Sequence, residues 1–246
     1  MGLFDFLSKK EDKAPKPASD KELARLEKLV ANKLSQNYDR QEAIEELAKM
    51  GSAESAAVLL KRFNWSMDPS ITDQEEKESS ARGIAAAGEK ALDPIREYCK
   101  RAESLTWPLK VLKEIVPRER FAEELLGILD LFDTDYVRNA QPKVQIIAML
   151  EEYPSEDVRV AVEPFLSDAS EPVRFTAVAT IFAMNDSASV PSLIAALEQE
   201  ESLRVKNRLA QGLDQRGWEV PEELADTCKE ALPDDFALSA RKVRRR

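Results

Sequence analysis

From Ser19 onward, stretches of 10–16 residues with apolar side chains every three to four positions alternate with breaks of two to eight residues. That spacing predicts helices. The first is announced by Ser19 and Glu22 at capping-box separation, ahead of Leu23, Leu26, Leu29, Val30 and Leu34. No convincing run of period-two alternation occurs, so strands are not expected. The helical stretches fall in pairs, most clearly over residues 168–199. There Pro172 opens one helix, Asn185-Asp186-Ser187 makes a turn, and Pro191 sits in the first turn of the next helix, where a missing N–H is harmless.

The dyad Val173-Arg174 recurs as Val205-Lys206, and looser versions precede it at Val144-Gln145, Leu109-Lys110 and Ala81-Arg82. Pro108, Pro142 and Pro172 mark three first-helix entries. A helix pair repeating about every 30 residues with drifting length is the mark of a solenoid. The stretch Asp168 to Leu197, with Asp, Val-Arg, Ala and then Val-Pro-x-Leu-Ile-x-x-Leu, resembles HEAT repeats, and among them the short bacterial type shared with phycobilisome-lyase proteins. Residues 201–232 match more loosely, and the likeness extends over about 39–232.

The resemblance implies an all-α fold: a right-handed α-α superhelix (HEAT-repeat, armadillo-like solenoid) of about six helix pairs plus an N-terminal capping helix. It implies an Asp-to-cation ladder between repeats, with Asp168, Arg174, Lys206 and Arg82 in those places. Second helices over 53–64, 90–102, 118–132, 155–167, 187–199 and 220–232 would line the concave side. Leu59, Leu60, Phe63, Leu92, Ile95, Phe121, Leu125, Ile128, Phe165, Leu193, Leu197 and Leu224 are the expected core. Pro164, late in a second helix, should kink it.

Composition narrows the chemistry. The 246 residues include no His, two Cys and seven Gly. Without histidine there is no Ser-His-Asp or Cys-His triad and no histidine metal site. Neither GxGxxG nor GxxxxGK[ST] occurs. No cofactor or metal is expected, and a catalytic role is not. Adjacent acids such as Glu45/Glu46, Glu75/Glu76, Glu123/Glu124 and Glu222/Glu223 point about 100° apart on a helix, so they read as solvated surface. Cys99 has Arg96, Lys100 and Arg101 nearby, a setting that can lower a thiol pKa. Its place near the apolar stripe instead favours a buried thiol, and Cys228 reads the same way. No apolar run reaches the 18–20 residues that span a bilayer, the N-terminus lacks a signal-peptide pattern, and free thiols suit a reducing cytoplasm.

Charge divides the chain. Residues 23–236 hold 26 basic and 41 acidic residues, a formal charge of −15, whereas the last ten carry Arg241, Lys242, Arg244, Arg245 and Arg246 with no acid. An acidic body disfavours nucleic acid and favours a protein partner with a basic surface. The expected division is a flexible segment over 1–19, a solenoid over 20–236 and a basic tail over 237–246.

Three segments depart from the repeat. Leu3, Phe4, Phe6 and Leu7 form an apolar cluster before a charged, Pro-bearing linker, suited to docking on a partner, on the chain itself or, less strongly, on a membrane. Trp65 and Met67 lie in a long break, either as interface anchors or as a folded-back loop. The basic tail suits RNA, anionic lipid or an acidic surface. The expected function is a non-enzymatic protein-binding scaffold. The alternatives are a lyase-like HEAT enzyme or assembly factor using Cys99 or a carboxylate, and a nucleic-acid or membrane adaptor working through the tail.

Overall fold

The structure, a computed structural model, describes residues 19–246. The apolar cluster Leu3, Phe4, Phe6 and Leu7 and most of the linker lie outside the described residues. Two compact units divide at Pro94 and Ile95. The described residues are predominantly α-helical, with one short hairpin, and none of their helices is long and apolar enough to cross a membrane.

In the first unit, α1 (Asp20–Val30) is capped by Ser19, whose side chain accepts a hydrogen bond from the Glu22 amide. The helix stops at Val30, because the Asn32 side chain accepts from the Leu34 amide in a turn. Leu34 is therefore 88% exposed, outside the stripe that its spacing suggested. Helix α2 (Asn37–Met50) is followed by α3 (Ala53–Leu60), whose start is a reciprocal Ser52/Ser55 capping box. The 3-10 helix Lys61–Asn64 extends it. Next come α4 (Ser70–Ala86) and the start of α5 (Leu92–Cys99), which carries the chain into the second unit. Helices α2 and α4 lie side by side in the same direction. Arg40 meets Glu76 near their starts, and further along Ala48 faces Gly83 so closely that a Cβ there would fall 2.9 Å from Ala48 Cβ and 2.8 Å from Leu59 Cδ1.

The second unit continues with α6 (Thr106–Ile115), α7 (Arg118–Leu129), α8 (Gln141–Leu150), α9 (Glu156–Val162), α10 (Glu171–Met184), α11 (Val190–Gln199), α12 (Leu203–Arg216) and α13 (Ala225–Ala231). Pro142, Pro172 and Pro191 each sit in a first helical turn. Pro164 ends α9 as a regular helix, and the chain tightens into the 3-10 helix Glu163–Ser167. Asn185 takes the left-handed conformation that stops α10, and Asp186 caps the next turn, as the Asn-Asp-Ser triplet predicts. First helices again stand beside one another. Thr180 Oγ1 donates to the Ile147 carbonyl 2.9 Å away, 33 positions earlier, and Arg204 meets Glu171, also 33 positions apart.

Ten of the twelve expected core residues are buried, while Phe63 and Leu224 are half-buried. The ladder is real but differently populated. Asp168 and Arg174 belong to it: Arg174 grips Glu200 with two hydrogen bonds of 2.7 and 2.8 Å and donates to the Asp168 carbonyl. The cation that meets the Asp168 carboxylate is Lys143, at 2.8 Å and fully buried. Arg82 bonds only to Ser79 and Lys206 makes no ion pair among the described residues. The dyad position in α8 is held by Gln145, which reaches back to the Leu105 amide at 2.6 Å, so the charge comes from Lys143 instead.

The chain's end corrects two expectations: residues 237–246 are not a free tail, and strands do occur. Strands β1 (Phe236–Ser239) and β2 (Lys242–Arg245) pair antiparallel, with Leu238 opposite Val243. Phe236 and Val243 are buried, and the hairpin packs on α12. The two-residue turn holds Ala240 and Arg241 at φ 47° and 59°, and the Arg241 carbonyl accepts from the Val220 amide at 2.7 Å. Such a turn ordinarily advertises itself with Asn-Gly or Gly, and four-residue strands are too short for a periodic signal.

The Lys143–Asp168 pair carries a stability prediction. Asp168→Ala leaves a buried ammonium without its anion and should lower unfolding free energy by about 3–5 kcal/mol in urea titrations. A loss under about 1 kcal/mol would show that Lys143 escapes to solvent.

Candidate interaction surfaces

The loop after α3 carries Trp65 and Met67, and it folds back. Beneath it lies a buried charge cluster. Glu76 accepts from Arg40 Nε and Nη2, both at 2.8 Å, and from Arg62 Nε at 2.7 Å. Arg62 also donates to Asp73 Oδ1 at 2.7 Å, and Lys77 spans Asp73 and the Ser66 hydroxyl, each at 2.8 Å. Burial pushes the Asp73 carboxyl up, but the Lys77 and Arg62 hydrogen bonds outweigh it and hold the group below its ordinary range. Three cations face two carboxylates. The remaining positive charge is met by the Ser35 and Trp65 carbonyls, by Met67 Sδ at 3.1 Å from Arg40, and by the Trp65 ring, 3.7 Å from the Arg62 guanidinium carbon. Trp65 and Met67 thus act as a cover held down by buried arginines, and both are only partly exposed.

Of the basic residues near the end, Arg241 pairs with Glu219 at 2.8 Å and Arg244 Nη1 donates to the Asp214 carbonyl at 3.1 Å. Lys242 is half-buried, while Arg245 and Arg246 are exposed. These five side chains are carried on a folded ribbon, which fixes their direction relative to α12.

Two of the four acidic doublets have an inner and an outer member. Glu76 and Glu124 are buried, the latter held by Arg96 at 2.6 and 2.8 Å, whereas Glu75 and Glu123 face solvent. Sequence reasoning had placed all of them on the surface. Arg40 was missed as well, although it falls on the apolar stripe formed with Ala43, Ile44 and Leu47. Cys99 is fully buried and its thiol is pushed up to about 12 by burial; Cys228 is likewise pushed up to about 11. The neighbouring cations Arg96 and Lys100 are engaged with Glu124 and Glu97.

A groove runs between α2 and α4. One end, about 360 Å³, is lined by Asn37, Thr72, Glu75 and Glu78. The other, about 240 Å³, has Ile44, Ala48, Gly83 and Ala86 as its floor and Glu45 on its rim. Gln41, Ser79 and Arg82 belong to both ends and make them continuous. A larger cleft of about 720 Å³ between α1 and α2 mixes Lys21, Arg25 and Lys28 with Asp39, Glu42 and Glu46, and an Arg25–Glu46 bridge of 2.6 Å crosses it. Its charges neutralise one another, so it selects no partner by sign. The sequence matches no family model and no curated protein.

Two measurements test these surfaces. Glu76→Gln leaves buried Arg40 without an anion and Arg62 with Asp73 alone, and should reduce stability by about 3–5 kcal/mol, whereas replacing all three with Met and Leu should cost far less. Equal losses would show that the cluster's packing, rather than its charge, matters. With a thiol at about 12, Cys99 should resist a disulfide reagent at pH 8 in the native protein and react fully in denaturant. Rapid native labelling would make Cys99 a candidate nucleophile again.

Proposed function

We propose that the protein is a non-enzymatic interaction scaffold of HEAT type that holds a basic segment of a partner protein on an acidic surface of its helix pairs. The groove between α2 and α4 carries this reading. Its apolar floor accommodates aliphatic side chains, and Glu45, Glu75 and Glu78 supply carboxylates along its length. A segment alternating apolar and basic residues satisfies both. The surrounding acidic surface accelerates encounter with such a segment, and the carboxylates along the groove set its register. The parallel first helices, recurring 33 and 36 positions apart in their cross-contacts, support the repeat reading. The raised thiol of Cys99 weighs against the lyase-like alternative.

Fluorescence anisotropy with a labelled peptide of alternating Lys and Leu tests this reading. Binding should weaken at least tenfold when Glu45, Glu75 and Glu78 are changed together to Lys. The same reversal at the exposed Glu222, Glu223 and Glu230 alters net charge equally and should leave most of the affinity. Equal losses in the two variants would mean that the groove is not the site.

A further inference from the structure

The seam between α10 and α12 has the opposite lining. Arg204, Arg208, Gly212 and Arg216 follow one another every four residues along α12, so they share one face of that helix. The face lies against α10. The Arg204 guanidinium carbon stands 3.8 Å from the Phe175 ring centre, and Arg216 is 4.9 Å from that of Phe182 and donates to the Phe182 carbonyl. Gly212 makes room for the Phe182 ring, since a Cβ there would overlap it. Trp218 packs on Phe182 with ring centres 5.9 Å apart and flanks Arg216.

This row is short of anions. Between Leu203 and Trp218 the only acid is Asp214, and Arg244 of the hairpin occupies it. Arg204 has Glu171 at 3.2 Å. Arg208, half-exposed, makes no hydrogen bond or ion pair among the described residues, and its Nε is left without an acceptor. Burial, and then the Arg208 charge, press on Arg216 and lower its proton affinity. Two neighbouring guanidinium groups with one internal acceptor between them form an arrangement that an added carboxylate relieves. The hairpin extends the basic face past the end of α12 through Arg244, whose guanidinium approaches Gly217, and through the exposed Arg245 and Arg246.

We infer that the α12 arginine row, extended by the C-terminal hairpin, is a docking surface for an extended acidic peptide segment of a partner protein. Successive arginines on the row rise about 6 Å apart, and alternate side chains of an extended strand recur at about 6.6 Å, so carboxylates at every second position meet Arg204 and Arg208 in register. Arginine pairs with carboxylates through two parallel hydrogen bonds, a geometry that Arg208 has free donors to supply. A nucleic acid fits less well. The aromatic faces that would stack on bases are occupied, with Phe182 buried and Phe175 under Arg204.

The test is anisotropy with a fluorescein-labelled peptide of alternating Glu and Gly, twelve residues long, against the full chain at 50 mM salt. Binding should fall at least tenfold when Gln replaces Glu in the peptide. Arg208→Gln should weaken it about fivefold without moving the thermal midpoint, because Arg208 holds no internal bond, and Arg208→Lys should recover only part of the loss. Charge neutralisation at Arg245 and Arg246 together should weaken it less than Arg208→Gln. Equal affinity for the Gln peptide, no effect of Arg208→Gln, or tighter binding of a twelve-nucleotide oligothymidine would each overturn the inference.

Discussion

Arg40, Lys143 and Arg174 each put a cation on a helix that holds no answering carboxylate of its own. The answering carboxylates of Glu76, Asp168 and Glu200 lie 36, 25 and 26 positions further on. Removing a charge from water is expensive unless its partner arrives in the right geometry, so each ion pair forms only when a later segment packs back: α4 for Glu76, and the ends of the 3-10 helix Glu163–Ser167 and of α11 for Asp168 and Glu200. Apolar burial alone tolerates sliding of one helix along another. A buried guanidinium with two hydrogen bonds to one carboxylate does not. Arg40 and Glu76 therefore set the register of α2 against α4, and with it the groove between them, whereas Lys143 and Arg174 fix α8 and α10 against the turns that end the 3-10 helix Glu163–Ser167 and α11.

Reading the helices from sequence works here because the signals are local and redundant. Ser19, Ser52 and Ser155 cap, Pro142, Pro172 and Pro191 open, and the apolar spacing between them leaves few alternatives. The hairpin lacked such redundancy. Ala240 and Arg241 adopt left-handed backbone without the Gly or Asn that would signal it, and the Arg241 carbonyl accepts from the Val220 amide, 21 positions earlier, which no local pattern announces. The ladder failed for a different reason. A motif names the position where a cation usually sits, yet Gln145 fills that position in α8 and Lys143, two residues earlier, takes over the charge. Arg40 shows the signal that could have been used: a charged residue in step with Ala43, Ile44 and Leu47 must bury its head or break the stripe.

The same logic explains the fate of Trp65 and Met67. Both residue types are common interface anchors, and exposure in a long loop would make them so. The three cations beneath them change the balance. An indole face and a thioether are among the few groups that can lie over buried guanidinium without competing for its carboxylate. Their role follows from the charge cluster, and the loop's length is what reaching across that cluster requires.

The α2–α4 groove and the α10–α12 seam each lie between helices running the same way with a glycine against the neighbour, Gly83 against Ala48 and Gly212 against the Phe182 ring. What differs is which side chains stand along the opening. Glu45, Glu75 and Glu78 around Arg82 leave one with a net acidic rim, whereas Arg204, Arg208 and Arg216 give the other a basic lining. These choices vary independently, because the two openings are lined by different helices. The overall acidity of the chain therefore says little about any single seam. Opposite preferences can coexist in one molecule, each decided by a few positions spaced four residues apart.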